Sequence, residues 1–429
     1  MTTLDFTRPA GPMKPLHGVN NAPLRIAGGA GVQHQNEFRD AGIPYMRTHD
    51  TAGMWGGGHY VDIPNIFPNF EADENDPSSY DFAFTDAYLK PIVEAGVKPF
   101  YRLGVTIENH WKVKAYHIHP PADFAKWARI CEHVVRHYNE GWAGGFHWDI
   151  EYWEIWNEPE NPPMWQGTKE QFFEFYRTAA RHLKTCFPSL RVGGFAGCGF
   201  YAVDDPSVSD FYKTFPVWFE DFLAYVTAPE TQAPLDFFSW HLYLDRHRGP
   251  ERIIRHANYV RELLDAAGLR EVESIFNEWN YCGDGWDAMK EMPGAACVAA
   301  AFCLMQAGPI DKAMYYDALP TRTYCGLFYF PSQRTTPCYE AFKAFNELYK
   351  LGTAASCSTD EKDLYLCAAA SESGQAFLLV NRSDEPRQVT PVLAGAAPAF
   401  VLHRLDADHP ALVAVGTFRP GETLALPPL

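Results

Sequence analysis

Two glutamates stand in Asn-Glu pairs at the ends of apolar, strand-like runs. Glu158 closes the aromatic segment EYWEIWNEPE (151–160), and Glu278 lies in ESIFNEWN (273–280). Pro159 has no N–H to add to a β-ladder, so the first run stops at Glu158. Two carboxyls brought face to face are what cleavage of a glycosidic bond requires. One must stay protonated to donate to the leaving oxygen; the other must be ionised to attack the anomeric carbon or activate water. Burial beside Trp153 and Trp156 is expected to raise the pKa of Glu158, and an arginine near Glu278 is expected to keep that carboxylate charged. Arg47 is the candidate, because Tyr45, Arg47 and His49 of YMRTH alternate onto one face of a strand. In LDFFSWHLY, Ser239, His241 and Tyr243 share one face, and Phe238, Trp240 and Leu242 share the other. The polar face is expected to line the site, with Tyr243 bonded to Glu278 and His241 touching a sugar or a carboxyl group.

Each of these residues also has a structural reading. A single strand-end glutamate is more often a helix cap or a surface charge; two of them, each after an asparagine at a strand end of one barrel, favour chemistry. Glu154 and Glu151 are the structural competitors, and Glu154, in mid-strand, is expected to pair with Arg102. His110, His117 and His119 read as solvated loop histidines, since no HExxH or other metal pattern accompanies them. Neither a metal nor a cofactor is indicated. Lys98 and Lys312 begin their strands, the wrong rim for a Schiff base. The stretch GGAG at 28–31 lacks the GxGxxG spacing of a nucleotide loop.

The elements that must carry these residues alternate between strand-like runs and amphipathic helices from residue 16 to about 350. Candidate strands are Leu16–Asn20, Tyr45–His49, Lys98–Leu103, Tyr152–Asn157, Arg191–Phe195, Asp236–Tyr243, Glu273–Asn277 and Lys312–Tyr316. Helical stripes run through Phe124, Trp127, Cys131, Val134 and Tyr138, through Phe172, Phe175, Ala179 and Leu183, and through 295–307. Eight such units predict an α/β fold, a (β/α)8 TIM barrel over 16–350, with the chemistry at the C-terminal ends of the strands. The short strand-like segments of 351–429 predict a small C-terminal β-sandwich, and the arm 1–15 is a candidate extra strand for it.

The chain has 429 residues, 47 % hydrophobic and 21 % charged, an ordinary globular balance. A formal net charge of −17 opposes nucleic acid and anionic membranes as partners. It says little about neutral sugars; the small oligosaccharide or glycoside expected as partner follows from the two-glutamate chemistry. The ten cysteines form no CxxC pair, and no signal-like or membrane-spanning apolar run occurs, so a cytoplasmic protein with reduced thiols is expected.

WNEP (156–159) with FNEWN (276–280) resembles the clan of barrel hydrolases that hold an acid/base and a nucleophile at the ends of strands four and seven. With HGVNNAP (17–23), YMRTHD (45–50), DIPNIFPNFEADENDPSSYDF (62–82), SWHLY (239–243) and PCYEAFKAFNELYKLG (337–352), the chain is similar to glycoside hydrolase family 39, the family of β-xylosidases and α-L-iduronidases. The resemblance implies a retaining enzyme with Glu158 as acid/base and Glu278 as nucleophile. It puts Asn157 at the sugar's 2-hydroxyl, Arg47 and Tyr243 on the nucleophile, and His49 and His241 around the sugar that is cleaved; Trp279 is counted with the substrate-binding residues. Relatives are often oligomeric, which leaves a homo-oligomer open. The chain departs from the family where xylosidases and iduronidases carry Tyr-Trp-Thr: here the run is Tyr315, Tyr316, Asp317, which makes Tyr316 the candidate stacking ring and adds the Asp317 carboxylate. β-Xylosidase action is the default expectation, with arabinosidase, glucosidase, galactosidase or iduronidase action, or a silent carbohydrate-binding barrel, as the alternatives. Arg322 is available as a grip for a substrate carboxylate, but nothing in the sequence ties it to that role.

Overall fold

Side chains alternate along a β-strand, so a closed barrel sorts each strand's residues between its interior and its helical coat. The computed structural model describes residues 1–21, 34–49, 60–106, 118–245 and 249–428. In chain order, β1 (Thr3–Pro12) and β2 (Gly18–Asn20) precede α1 (Gln35–Asp40), and β3 (Tyr45–Arg47) is followed by α2 (Ile63–Ile66) and α3 (Ala83–Glu94). Regular β/α units then follow: β4 (Lys98–Leu103) and α4 (Phe124–Glu140), β5 (Tyr152–Ile155) and α5 (Lys169–Cys186), β6 (Arg191–Gly197) and α6 (Asp210–Thr227). The last are β7 (Phe237–Leu244) and α7 (Glu251–Ala266), β8 (Glu273–Tyr281) and α8 (Met292–Ala307), β9 (Lys312–Tyr315) and α9 (Pro337–Tyr349). Strands β2 to β9 pair in parallel in that order and β9 returns to β2, which closes the (β/α)8 barrel. All eight strands fall on the segments expected from the sequence.

Inside the barrel the strands build two layers. Tyr45, Phe100, Tyr152, Phe237, Ile275 and Met314 form one buried cluster that plugs the lower half. Two residues further along five of these strands stand Arg47, Arg102, Glu154, Ser239 and Asn277, all fully buried and all polar. The lower layer supplies packing, and the upper layer is the floor of the site at the C-terminal rim.

The helices are placed by their ends as well as their faces. Asp123 caps α4 by accepting the Lys126 N–H at 3.0 Å, and Gly141, at φ 74°, ends it in a left-handed turn. Thr168 and Gln171 form a reciprocal capping box on α5. Helix α8 is apolar on all sides because it is covered on all sides: it packs on β8, α7 and α9, and also against the C-terminal sheet.

Beyond α9 lie β10 (Thr353–Ser358), β11 (Leu364–Ser371), β12 (Gly374–Asn381), β13 (Arg387–Val389), β14 (Val392–Ala394), β15 (Phe400–Asp406), β16 (His409–Phe418) and β17 (Leu424–Leu426). The arm β1 enters this region, giving a five-stranded sheet in the order β12-β11-β10-β1-β14; β13 pairs with β17 and β15 with β16. Among the described residues, no helix is long and apolar enough to cross a membrane.

Candidate active site

Arg47 organises the floor. Its guanidinium is fully buried and donates from Nε to Glu154 at 2.7 Å, from Nη1 to Asn20 at 3.1 Å and to Glu278 at 3.2 Å, and from Nη2 to Asn157 at 2.6 Å. A planar fork that reaches four acceptors fixes their positions as well as their charges. Glu154 therefore pairs with Arg47, not with Arg102 as expected. Its other oxygen accepts from Ser239 at 2.6 Å and from Asn277 at 2.5 Å, whereas Arg102 turns to Asp62 at 2.7 Å. Adjacency of Arg102 and Glu154 in strand register did not decide the pairing; the Asp62 carboxylate drew Arg102 away.

Glu158 reaches the mouth through an unusual strand end. Past β5 the backbone takes positive φ at Trp156 (73°) and Glu158 (44°), conformations that cost non-glycine residues on the order of 1 kcal/mol each. The Glu158 N–H is held by Ala196 O at 3.1 Å, from β6. This turn sends Trp156 outward against Trp165 and Phe175, and Asn157 and Glu158 toward the barrel axis. Glu158 Oε1 lies 2.6 Å from His241 Nδ1, and Oε2 accepts the Asn161 amide at 2.8 Å.

Glu278 comes from the opposite side, on β8. Tyr243 donates to its Oε1 at 2.5 Å, while Arg47 Nη1 is 3.2 Å, His241 Nδ1 3.6 Å and His49 Nε2 3.8 Å from its Oε2. One oxygen of Glu158, one of Glu278 and a ring nitrogen of His241 all lie within 4.8 Å of one another. Two carboxylates and an imidazole are also a donor set for a divalent cation, but the Arg47 charge beside Glu278 opposes a second cation there. Among the described residues a further such grouping, Glu132, His182 and Cys186, sits on α4 and α5, with Glu132 already paired to Arg136 at 2.8 Å.

The electrostatics differ from the sequence expectation. Burial pushes Glu158 up, yet its hydrogen bond to His241 and the imidazole's charge outweigh burial and hold it below the usual carboxylate range. Trp153, which was to help raise it, stacks instead on Tyr101 in the helical layer, with ring centroids 4.9 Å apart. Glu278 is raised: burial dominates, and the charge of Glu158 adds to it, against the pull of His241 and Arg47. The reversal has two causes: His241 and Asn161 bond Glu158 directly, and the ionised Glu158 in turn adds to the burial that raises Glu278.

Most of the expected residues meet at this rim. Arg47, His49, Asn157, Glu158, His241, Tyr243 and Glu278 line it directly. Half-buried Tyr316 lies across the mouth, its ring 6.1 Å from His49 and 6.4 Å from Tyr243. Buried Asp317 accepts the Asn21 amide at 3.0 Å beside it. Trp279 is the exception. It is fully buried on the outer face of β8, against Phe276, Phe302 and Tyr315. A bulge between Phe276 and Glu278 puts Asn277 and Glu278 on the same inward side, which reverses the alternation for Trp279. Arg322 is exposed, and Lys312 pairs with Glu273 at 2.9 Å at the lower rim. His110, His117 and the stretch 28–31 lie outside the described residues.

The structure adds residues that sequence patterning passed over. Asn20, at the end of β2, accepts from Arg47 and donates to Asn277 O at 2.7 Å. Asn161, Cys198 and Glu160 surround Glu158. The only sequence signal of these three was position, two or three residues past Glu158 or just past β6.

The model of glycosyl hydrolases family 39 matches residues 32–282, the stretch that holds Arg47, Glu158, His241 and Glu278. A β-xylosidase of Geobacillus stearothermophilus is 27 % identical over 51 % of this chain and 42 % of its own length. A β-xylosidase of Caldicellulosiruptor saccharolyticus is 28 % identical over 72 % of this chain and 64 % of its own. The chain thus spans less than two thirds of the length of either relative. Among solved structures, a glucosidase from Croceicoccus marinus aligns over 100 % of this chain and 83 % of its own, with a TM-score of 0.73 and 24 % identity, a likeness of fold. With more than half of its length matched by the family model, and with that match enclosing both glutamates and the residues that hold them, this chain belongs to glycosyl hydrolases family 39.

Proposed function

We propose that the protein is a retaining glycoside hydrolase that removes a terminal sugar from a small oligosaccharide or glycoside, with Glu278 as nucleophile and Glu158 as acid/base. The observation that carries the reading is the approach of Glu158 and Glu278 oxygens to within 4.8 Å. Retaining enzymes hold their carboxyls roughly 5–5.5 Å apart; inverting ones need about 6.5–9.5 Å to admit a water between them.

In this mechanism Tyr243 and Arg47 donate to Glu278, which favours its ionised form and aims it at the anomeric carbon. The Glu158–His241 pair carries the proton for the leaving oxygen. Moving the Nδ1 proton across their 2.6 Å bond to the carboxyl produces the acid without recourse to solvent; once that proton has gone to the leaving oxygen, the bare Nδ1 is in place to receive the proton that Glu158 takes from water in the second step. Attack by Glu278 forms the glycosyl-enzyme ester as the departing alcohol takes the Glu158 proton. Glu158 then takes a proton from water, which releases the sugar and restores Glu278.

The named relatives make β-xylosides the first substrates to try. Tyr316 is offered as the ring that stacks on the cleaved sugar, and Asn157 as the contact to its 2-hydroxyl. A second specificity within the family is favoured by one observation: the carboxylate of Asp317 beside Tyr316 offers an extra acceptor for a sugar hydroxyl. Both carboxyls are in place with their partners, which argues against a silent binding barrel. Ten free thiols accord with a cytoplasmic setting.

Trapping with a 2-fluoro glycoside followed by peptide mapping tests the assignment. The label is expected on Glu278, and a label on Glu154 or Glu151 would overturn it. Hydrolysis of an aryl β-D-xylopyranoside tests the sugar. Silence there, with turnover of arabinosides, galactosides, glucosides or uronides, would move the specificity and leave the two-glutamate mechanism standing.

A further inference from the structure

Glu160 is a buried carboxyl that the two-glutamate chemistry does not use. It lies two residues past Glu158, on the loop from β5 to α5, and is 6 % exposed. Its Oε1 accepts the Cys198 N–H at 2.6 Å, from the end of β6. Its Oε2 is buried without a hydrogen-bond partner. Burial, and after it the charge of Glu158, push the Glu160 pKa up to about 8, so at neutral pH it is a carboxylic acid. Because Oε1 accepts an N–H, the acid proton belongs on Oε2. The outcome is a buried O–H donor with nothing to donate to, an arrangement folded proteins seldom leave in place. A ligand that brings an acceptor would complete it.

Its position says which part of a ligand that is. The Glu158 N–H donates to Ala196 O at 3.1 Å and the Cys198 N–H to Glu160 Oε1 at 2.6 Å, so Glu158, Glu160 and Cys198 share one side of the mouth, where the end of β5 meets the end of β6. Glu278, with Tyr243, holds the facing side on β7 and β8. The cleaved sugar sits between Glu158 and Glu278, and the departing group must leave on the Glu158 side, away from the nucleophile.

We propose that Glu160 is a specificity-determining residue of the leaving-group subsite, where its Oε2–H donates to a hydroxyl or ring oxygen of a departing sugar. The inference rests on the hydrolase reading and deepens it: the favoured substrate class is a glycoside whose leaving group is itself a sugar, rather than a bare aryl or alkyl alcohol. A site built to pair a buried polar group discriminates against ligands that leave it unpaired.

The test compares kcat/KM on xylobiose with kcat/KM on 4-nitrophenyl β-D-xylopyranoside, and the matching disaccharide and aryl pairs of glucose, galactose and arabinose, for the whole protein. Glu160→Leu removes the donor; Glu160→Gln keeps one at the same size. The disaccharide-to-aryl ratio is expected to fall about five- to tenfold in Glu160→Leu and to stay within about twofold of wild type in Glu160→Gln. Should the leucine variant not fold, Glu160→Ala carries the same expectation as leucine. A ratio that does not move, or equal losses on both members of a pair, overturns the proposal while leaving the hydrolase reading intact. A wild-type protein inert on every pair and on aryl uronides overturns the hydrolase reading, and this inference with it.

Discussion

His241 Nδ1 lies 2.6 Å from Glu158 Oε1, and this imidazole holds the carboxyl low against the burial that would raise it. Its removal in His241→Ala takes away a donor to the ionised form, so the Glu158 pKa rises. In the wild type the donated proton is held by the Glu158–His241 pair, whereas in the variant Glu158 holds it alone, so the alkaline limb of the kcat/KM profile is expected to shift downward as the rate falls. A pH–rate profile on one good substrate measures this. An alkaline limb that stays put, or moves up, removes His241 from its role.

Loss of either carboxyl should have its own kinetic signature. Glu278→Ala is expected to lower kcat by at least about 10⁴-fold. Azide should partly restore turnover as an α-configured glycosyl azide if the substrate is β-linked. Residual wild-type rates without rescue would displace Glu278 as nucleophile.

Glu158→Ala should spare substrates with good leaving groups, which need no proton, far more than those with poor ones. Paired dinitrophenyl and alkyl glycosides read this directly. Equal damage to both would place the acid elsewhere.

Arg47 bridges Glu154, Glu278, Asn20 and Asn157 from a fully buried position. Arg47→Met leaves two buried carboxylates without their cation and is expected to cost about 3–5 kcal/mol of stability, with activity lost as well. Denaturant unfolding checks the first, and a loss under 1 kcal/mol would contradict it. Arg47→Lys keeps the charge but cannot reach four acceptors in one plane, so it should fold better than Met and still turn over slowly.

Glu160 should also show in stability. Its pKa is about 8 in the folded protein, against roughly 4.3 for an unperturbed glutamate. Between those values the folded state holds a proton that the unfolded chain has released, so stability falls as pH rises, by up to about 1.4 kcal/mol per unit. Glu160→Gln removes that slope. Relative to wild type, the variant is expected to gain stability steadily from pH 5 to pH 8, measured by denaturation midpoints across that range. Parallel curves for the two proteins would contradict it.

The strands were legible because their signal is local. Alternation within YMRTH and SWHLY marks which side chains share a face, and the register of the barrel then stacks polar Arg47 and Ser239 above apolar Tyr45 and Phe237. The glutamate pairs were legible for a similar reason: Pro159 and the flanking aromatic residues mark a strand end within a few positions.

Trp279 shows where local reasoning stops. Asn277 and Glu278 both face inward, which a regular ladder forbids, and the bulge that allows it exists only against the neighbouring strands β7 and β9, so no residue of β8 by itself announces it; with Glu278 inward, Trp279 faces the helices. The identity of a partner is equally non-local. Arg102 and Glu154 are register neighbours, yet Asp62 claims one and Arg47 the other.

By itself the sequence determined the fold class, the strands and the two glutamates, because period-2 alternation, helix stripes and chain-breaking residues act over a few positions. Only the tertiary structure decided the directions in which those glutamates shift. Charges act through space, and His241, 83 residues along the chain from Glu158, came to lie closer to that carboxyl than any group the sequence sets beside it.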